Sequence, residues 1–125
     1  MESMIYETEL KILEILWDEG DMSAKDIVIK LKESTGWQKS TSYTVITRCI
    51  DKGLVGRFRT NFMCSALITR EEAKEREVKI LADKMFGGSR DALISALLGQ
   101  NTLTPSRISK LRHMAQEFAE CHEIL

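Results

Sequence analysis

The run from Trp37 to Gly53, WQKSTSYTVITRCIDKG, gathers hydroxyls and cations at helical spacing. On a 3.6-residue period, Ser42, Val45, Ile46 and Cys49 share one face, with Ile50 beside them. Ser40, Thr44, Thr47, Arg48 and Asp51 share the other, and Lys39 and Tyr43 stand close by. The first face can pack on a core. The second lacks the long Glu and Lys pairs of an ordinary solvated helix. Its short hydroxyl side chains permit close approach to another surface and can donate or accept hydrogen bonds. The unpaired N–H groups of the opening turn suit phosphate oxygens. A helix lying in the major groove of DNA needs these features, although a Ser/Thr-rich helix facing water would look the same.

In this pattern Lys39 and Arg48 are candidate phosphate contacts. Thr44 and Thr47 are candidate readers of base edges, since a hydroxyl bonds several bases and a threonine methyl can touch thymine. Tyr43 either packs on the sugar-phosphate backbone or shields the turn, and Trp37 braces that turn. Net charge over all 125 residues is -1, so any affinity for a polyanion must be local. Between Gly36 and Ala66, Lys39, Arg48, Lys52, Arg57 and Arg59 oppose Asp51 alone, a net of +4, which leaves -5 for the remainder.

Other chemistry is sparse. The cysteines, Cys49, Cys64 and Cys121, are odd in number and widely spaced, so neither a disulfide framework nor a zinc cluster is indicated. His113, Cys121 and His122 lack a fourth ligand for a metal. No Ser-His-Asp elbow, glycine-rich phosphate loop or H-E-x-x-H motif occurs, so an enzyme is not expected, nor a cofactor. The N-terminus is too polar for a signal peptide, and no apolar run approaches the length of a membrane span, so a cytoplasmic protein without membrane insertion is expected.

The elements that must position this helix, which opens near Lys39 or Ser40 and closes at Gly53, follow from periodicity. Leu10, Ile12, Leu13, Leu16 and Trp17 make the apolar stripe of a first helix over 8–19, stopped at Gly20. Ser23 caps a second helix over 23–33, whose Ala24, Ile27, Val28 and Leu31 match the amphipathic template. Two short helices joined by a turn containing Gly36 form a helix-turn-helix. Residues 54–58 and 62–68 are rich in Val, Phe, Leu and Ile and flank Arg59-Thr60-Asn61, which predicts a β-hairpin. Three helices and this hairpin make a winged helix, whose wing would carry Arg57, Arg59 and Asn61 toward phosphates or the minor groove.

Thr69 and Glu72 form a capping box for a fourth helix with Val78, Leu81, Ala82 and Met85 along its stripe. Ser89 caps a fifth, in which Leu93, Ile94, Leu97 and Leu98 are apolar almost all round. Thr104 and Pro105 open a sixth carrying Ile108, Leu111 and Phe118. Three helices in so short a segment cannot cover the fifth, because domains near 60 residues bury only about 60% of their chain surface. A second copy of the chain would supply the missing cover, as an isologous homodimer with two recognition helices for the two halves of a palindrome. The fold expected is mainly α with a small β-hairpin: a winged helix-turn-helix over 1–68, then a helical dimerisation region over 69–125. The residues expected at the dimer contact are Val78, Leu81, Met85, Phe86, Leu93, Ile94, Leu97, Leu98, Ile108, Leu111 and Phe118. Two other functions fit the same pattern. One is a winged-helix protein-interaction module without a DNA target. The other is a thiol- or metal-responsive sensor built on Cys49.

Several stretches together carry a family resemblance. They are the E-x-x-x-L/I-x-x-L-W stretch around Glu9 to Trp17, S-A-K-D-I from Ser23, T-G-W ending at Trp37, and T-V-I-T-R from Thr44 to Arg48 with its exit at Lys52-Gly53. Beyond the wing come S-A-L-I-T-R-E-E from Ser65 and K-M-F-G-G-S from Lys84. In order and spacing, over nearly the whole chain, these resemble the penicillinase-repressor (BlaI/MecI/CopY) family of bacterial winged-helix repressors. The resemblance implies a homodimeric repressor of resistance or stress genes. It also implies DNA contacts at Lys39, Ser40, Thr41, Tyr43, Thr44, Thr47 and Arg48. Tyr43 stands where several members carry a basic residue, and Ser42 where they carry an aliphatic one, so the resemblance does not carry over an operator sequence. Beta-lactam-responsive members are cleaved by a partner membrane metalloprotease, often at an Asn-Phe bond in the fifth helix; the matching bond here is Ala96-Leu97. An Asn-Phe pair occurs at Asn61-Phe62, in the wing. Copper-responsive members carry paired C-x-C motifs near the C-terminus, and this tail has only Cys121-His122.

Overall fold

The computed structural model describes residues 4–58, 60–99 and 103–121. Its elements run α1 (Glu7–Glu19), β1 (Met22–Ser23), α2 (Ala24–Thr35), α3 (Lys39–Asp51), β2 (Val55–Phe58), β3 (Met63–Ala66), α4 (Arg70–Met85), α5 (Arg90–Leu98) and α6 (Pro105–Cys121). The protein is thus mostly helical with a small antiparallel sheet, as the periodicity predicts. Its contacts divide it into two units, which part between Leu81 and Ala82.

In the first unit local signals set the helix ends. Ser23 Oγ accepts from Asp26 N at 3.1 Å, a cap worth about 1 kcal/mol. Gly36 ends α2 in the left-handed conformation, φ 78°, which a side chain would strain. Thr69 Oγ1 accepts from Glu72 N and Glu72 Oε1 accepts from Thr69 N, a complete capping box. Hydrogen bonding to the carboxyl, first from the Thr69 backbone N–H and then from the Thr69 side chain, holds Glu72 below its usual range.

The apolar stripes of α1, α2 and α3 meet in one core. Ile12, Leu13, Ile27, Leu31 and Ile46 are fully buried there, closed off by Leu54, Val55 and Cys64 of the wing. Trp17 is half-buried against that core, and its indole N–H donates to Ile68 O at 2.8 Å. That bond ties α1 to the chain leaving the wing.

The sheet has order β1-β3-β2. The hairpin pairs Val55 with Ala66 and Phe58 with Met63, shorter at both ends than the expected strands. β1 is not foreshadowed by the sequence. Its two residues pair with β3 as Met22 to Cys64 and Ser23 to Met63. So short a strand has no periodicity to read, and it exists because β3 offers it an edge. At the wing tip Asn61 and Phe62 both take left-handed φ, 56° and 48°. Asparagine tolerates this, whereas phenylalanine adopts it only under tertiary constraint.

In the second unit Ser89 Oγ accepts from Ala92 N at 3.1 Å to cap α5, and Thr104 Oγ1 accepts from Arg107 N at 3.2 Å to cap α6. Neither α5 nor α6 contains a buried residue. No described helix is long and apolar enough to cross a membrane.

Candidate nucleic-acid interface

α3 divides as its sequence predicts. Ser42, Val45, Ile46 and Cys49 are buried, while Lys39, Ser40, Thr41, Thr44 and Thr47 are exposed and Tyr43 and Arg48 are half-buried. Gln38 stands at the N-cap without a side-chain capping bond. The first N–H groups of α3 are therefore not taken by a cap and remain available to an anion.

Tyr43, Thr44, Thr47, Arg48 and Asp51 line a shallow concavity of about 440 Å³ on the outer face. Thr44 Oγ1 donates to Ser40 O at 2.9 Å. With its only proton committed, the hydroxyl of this exposed threonine can accept but not donate. It suits a base amino group or the thymine methyl. Asp51 is a polar member of this concavity, and its sequence position places it on the outer face without suggesting a role. A carboxylate there can accept from the N4 amino group of cytosine.

One aromatic contact joins the wing tip to α3, and each of its two rings carries a cation from its own element. The Arg57 guanidinium lies 3.8 Å from the Phe62 ring centroid, and the Phe62 and Tyr43 rings are 6.2 Å apart at 51°. Lys39 Nζ is 6.0 Å from the Tyr43 ring. Tyr43 therefore serves as a packing bridge between α3 and the wing. Phe62 is the residue sequence reasoning missed, because an aromatic at a strand start reads as ordinary core. Arg57 and Asn61 are exposed on the wing. Arg59 lies outside the described residues.

Behind α3 sits a polar cluster that periodicity does not reveal. Glu9, in α1, is fully buried at 0% exposure. Its Oε1 accepts from Lys52 Nζ and from Tyr6 N, both at 2.8 Å. Lys52 is thus an internal counter-ion, and the charge it adds to the +4 stretch is spent inside the fold. The Cys49 thiol is pushed up to about 12, chiefly by burial and next by the Glu9 carboxylate. Burial likewise raises Cys64. Thiols so shifted hold little thiolate at neutral pH and are poor nucleophiles. Cys121 is exposed. Among the described residues no three of His, Cys, Asp and Glu gather to hold a metal ion. His122 lies outside those residues.

Of the positions expected at a dimer contact, Val78, Leu81, Met85, Ile94, Leu97, Leu98, Ile108, Leu111 and Phe118 are exposed, and Phe86 and Leu93 are half-buried. Leu97 and Phe118 reach 63% and 65%. The Ala96-Leu97 bond lies within α5.

Residues 5–117 match the model of a family described as penicillinase repressor. The methicillin resistance regulatory protein MecI of Staphylococcus aureus is 25% identical over 119 residues, covering 91% of this chain and 97% of that protein. The penicillinase repressor of Staphylococcus aureus is 23% identical over 114 residues, 90% of each. An uncharacterized 16.5 kDa protein from the ptsI 3' region of Latilactobacillus sakei is 27% identical over 109 residues, 86% of this chain and 75% of its own. The solution structure of the DNA-binding domain of the repressor BlaI superposes with TM-score 0.51 at 18% identity, over 58% of this chain and 93% of that one. At that identity the likeness is one of fold.

Proposed function

Because the chain belongs to the penicillinase repressor family, we propose that this DNA-binding repressor acts as a homodimer on a palindromic operator, controlling resistance or stress genes. The carrying observation is the outer face of α3, where exposed hydroxyls and Lys39 stand beside a wing whose Phe62 contacts Tyr43 and is stacked by Arg57. Thr44, Thr47 and Asp51 read bases. Lys39, Arg48, Arg57 and the opening N–H groups of α3 hold phosphates, with Ser40 and Thr41 in the same turn.

Support for the dimer comes from α5 and α6, where Ile94, Leu97, Leu98, Ile108, Leu111 and Phe118 are exposed. Exposed apolar surface of this kind marks an interface. A C2 partner would cover it with the same residues and set two α3 helices one DNA turn apart. A membrane metalloprotease is the partner by which such a repressor would be released, with α5 as the segment to be cut.

Footprinting and titration on the region upstream of the gene test the reading. Wild-type protein is expected to protect a palindrome at physiological salt. Lys39→Ala should weaken operator and random duplexes alike and flatten the log-log salt slope by about 0.9 for each phosphate no longer neutralised. Thr44→Ala should alter which bases are preferred. Absence of protection on any promoter fragment overturns the reading in favour of a protein-interaction module.

A further inference from the structure

Glu9 shares its charge unequally between two cations of the recognition helix and its exit. Its Oε1 is saturated by Lys52 Nζ and Tyr6 N. Lys52 is saturated in turn: Nζ also donates to Met4 O at 2.8 Å, lies 3.9 Å from the Tyr6 ring centroid, and the side chain is 16% exposed. The other oxygen, Oε2, is buried and has no hydrogen-bond donor among the described residues. The cation facing it is Arg48, whose Nε stands 3.9 Å away, inside ion-pair range and beyond hydrogen-bond range. Arg48 is 39% exposed and forms one wall of the concavity on α3. A buried carboxylate oxygen without a donor is unfavourable, so Oε2 draws the guanidinium inward while phosphate would draw it outward.

We infer that Glu9 is a positioning and specificity-determining residue for DNA recognition: it tethers Arg48 so that the guanidinium engages DNA only where the rest of α3 is correctly seated. The inference rests on the reading of α3 as the DNA-facing helix. Random phosphates then compete against Glu9 for Arg48. At the operator, base contacts by the Thr44 and Thr47 face bring the backbone close enough to win it. The tether suppresses non-specific binding more than specific binding.

Glu9→Gln tests this, because the amide keeps an oxygen for Tyr6 N and loses the charge. The probes are a duplex that wild-type protein selects from a random pool and a shuffled duplex of the same composition. On the shuffled duplex the variant should neutralise one more phosphate per protomer. Its salt slope steepens by about 0.9, so a fourfold rise in salt costs it about three- to fourfold more affinity per protomer than wild type. The ratio of selected to shuffled affinity should fall, and adding Arg48→Gln should erase both changes. A folded Glu9→Gln protein that binds both duplexes more weakly in proportion, or with an unchanged slope, overturns the inference and leaves the α3 reading standing. Wild-type protein that binds neither duplex removes both. Should Glu9→Gln fail to fold, the Arg48 Nε–H resonance of the labelled wild-type protein decides. It should move on adding the selected duplex and stay in place with the shuffled one, and equal movement with both overturns the inference.

Discussion

Cys49 occupies the inner face of α3 with Glu9 behind it, its Sγ donating to Glu9 O at 3.9 Å. Burial and the neighbouring carboxylate raise its thiol from 9.0 to about 12. A proton held more tightly in the folded state stabilises the fold below pH 9, where both states keep it. The contribution is lost as pH rises from about 9 toward 12, where the unfolded chain ionises and the folded one does not. The expected outcome is a stability profile that falls more steeply over that range for wild-type protein than for Cys49→Ala, read from denaturant midpoints at matched pH values. Parallel profiles would show that Cys49 carries no such linkage. At this scale the helix caps and stripes are legible in the sequence because they are local. Ser23, Thr69 with Glu72, and Thr104 announce themselves within three residues. Glu9 is not legible as a buried counter-ion. A lone glutamate on an amphipathic helix reads as solvated, and its burial depends on Lys52, 43 residues away in sequence. Ser42 is legible as inward-facing, yet nothing in the sequence shows that its buried hydroxyl lacks a hydrogen-bond partner among the described residues.

Among the elements, the wing is held by Leu54, Val55 and Cys64 in the core and, at its tip, by one aromatic contact. A four-residue hairpin is marginal alone, and the Tyr43–Phe62 contact joins it to α3. An aromatic pair of this kind contributes about 1 kcal/mol beyond area burial. Tyr43→Ala should therefore loosen the wing and lower DNA affinity about fivefold, whereas Tyr43→Phe, which keeps the ring, should bind nearly as wild type. Titration of both variants on one duplex checks this; equal losses would instead assign Tyr43 a direct contact through its hydroxyl. The helix-turn-helix and the hairpin can be read from periodicity and turn residues. β1 cannot, since its two residues become a strand only when β3 arrives from about forty residues downstream.

For the whole molecule, the main core and the exposed apolar side chains of α5 and α6 lie in different parts of the chain. Every buried apolar residue of the main core cluster falls between Ile5 and Ala73, while α5 and α6 contribute none. Leu97→Glu with Phe118→Glu is therefore expected to yield a monomer by light scattering that keeps its helical circular dichroism. Its operator affinity should fall about a hundredfold or more as the gain from two linked sites disappears. A double variant that remains dimeric would move the interface elsewhere. The division between Leu81 and Ala82 has no sequence signal, because α4 continues through it without a break in helical pattern.

The internal use of Lys52 has a bearing on how such a protein finds its target. Of the described cations in the charged stretch, Lys39 and Arg57 are exposed, Arg48 faces Glu9, and Lys52 is spent inside. Each cation spent inside the fold leaves one fewer to hold phosphate, and non-specific affinity scales with the phosphates neutralised. On the DNA reading proposed above, such a repressor would leave wrong sites quickly and stay only where bases match the hydroxyl face of α3.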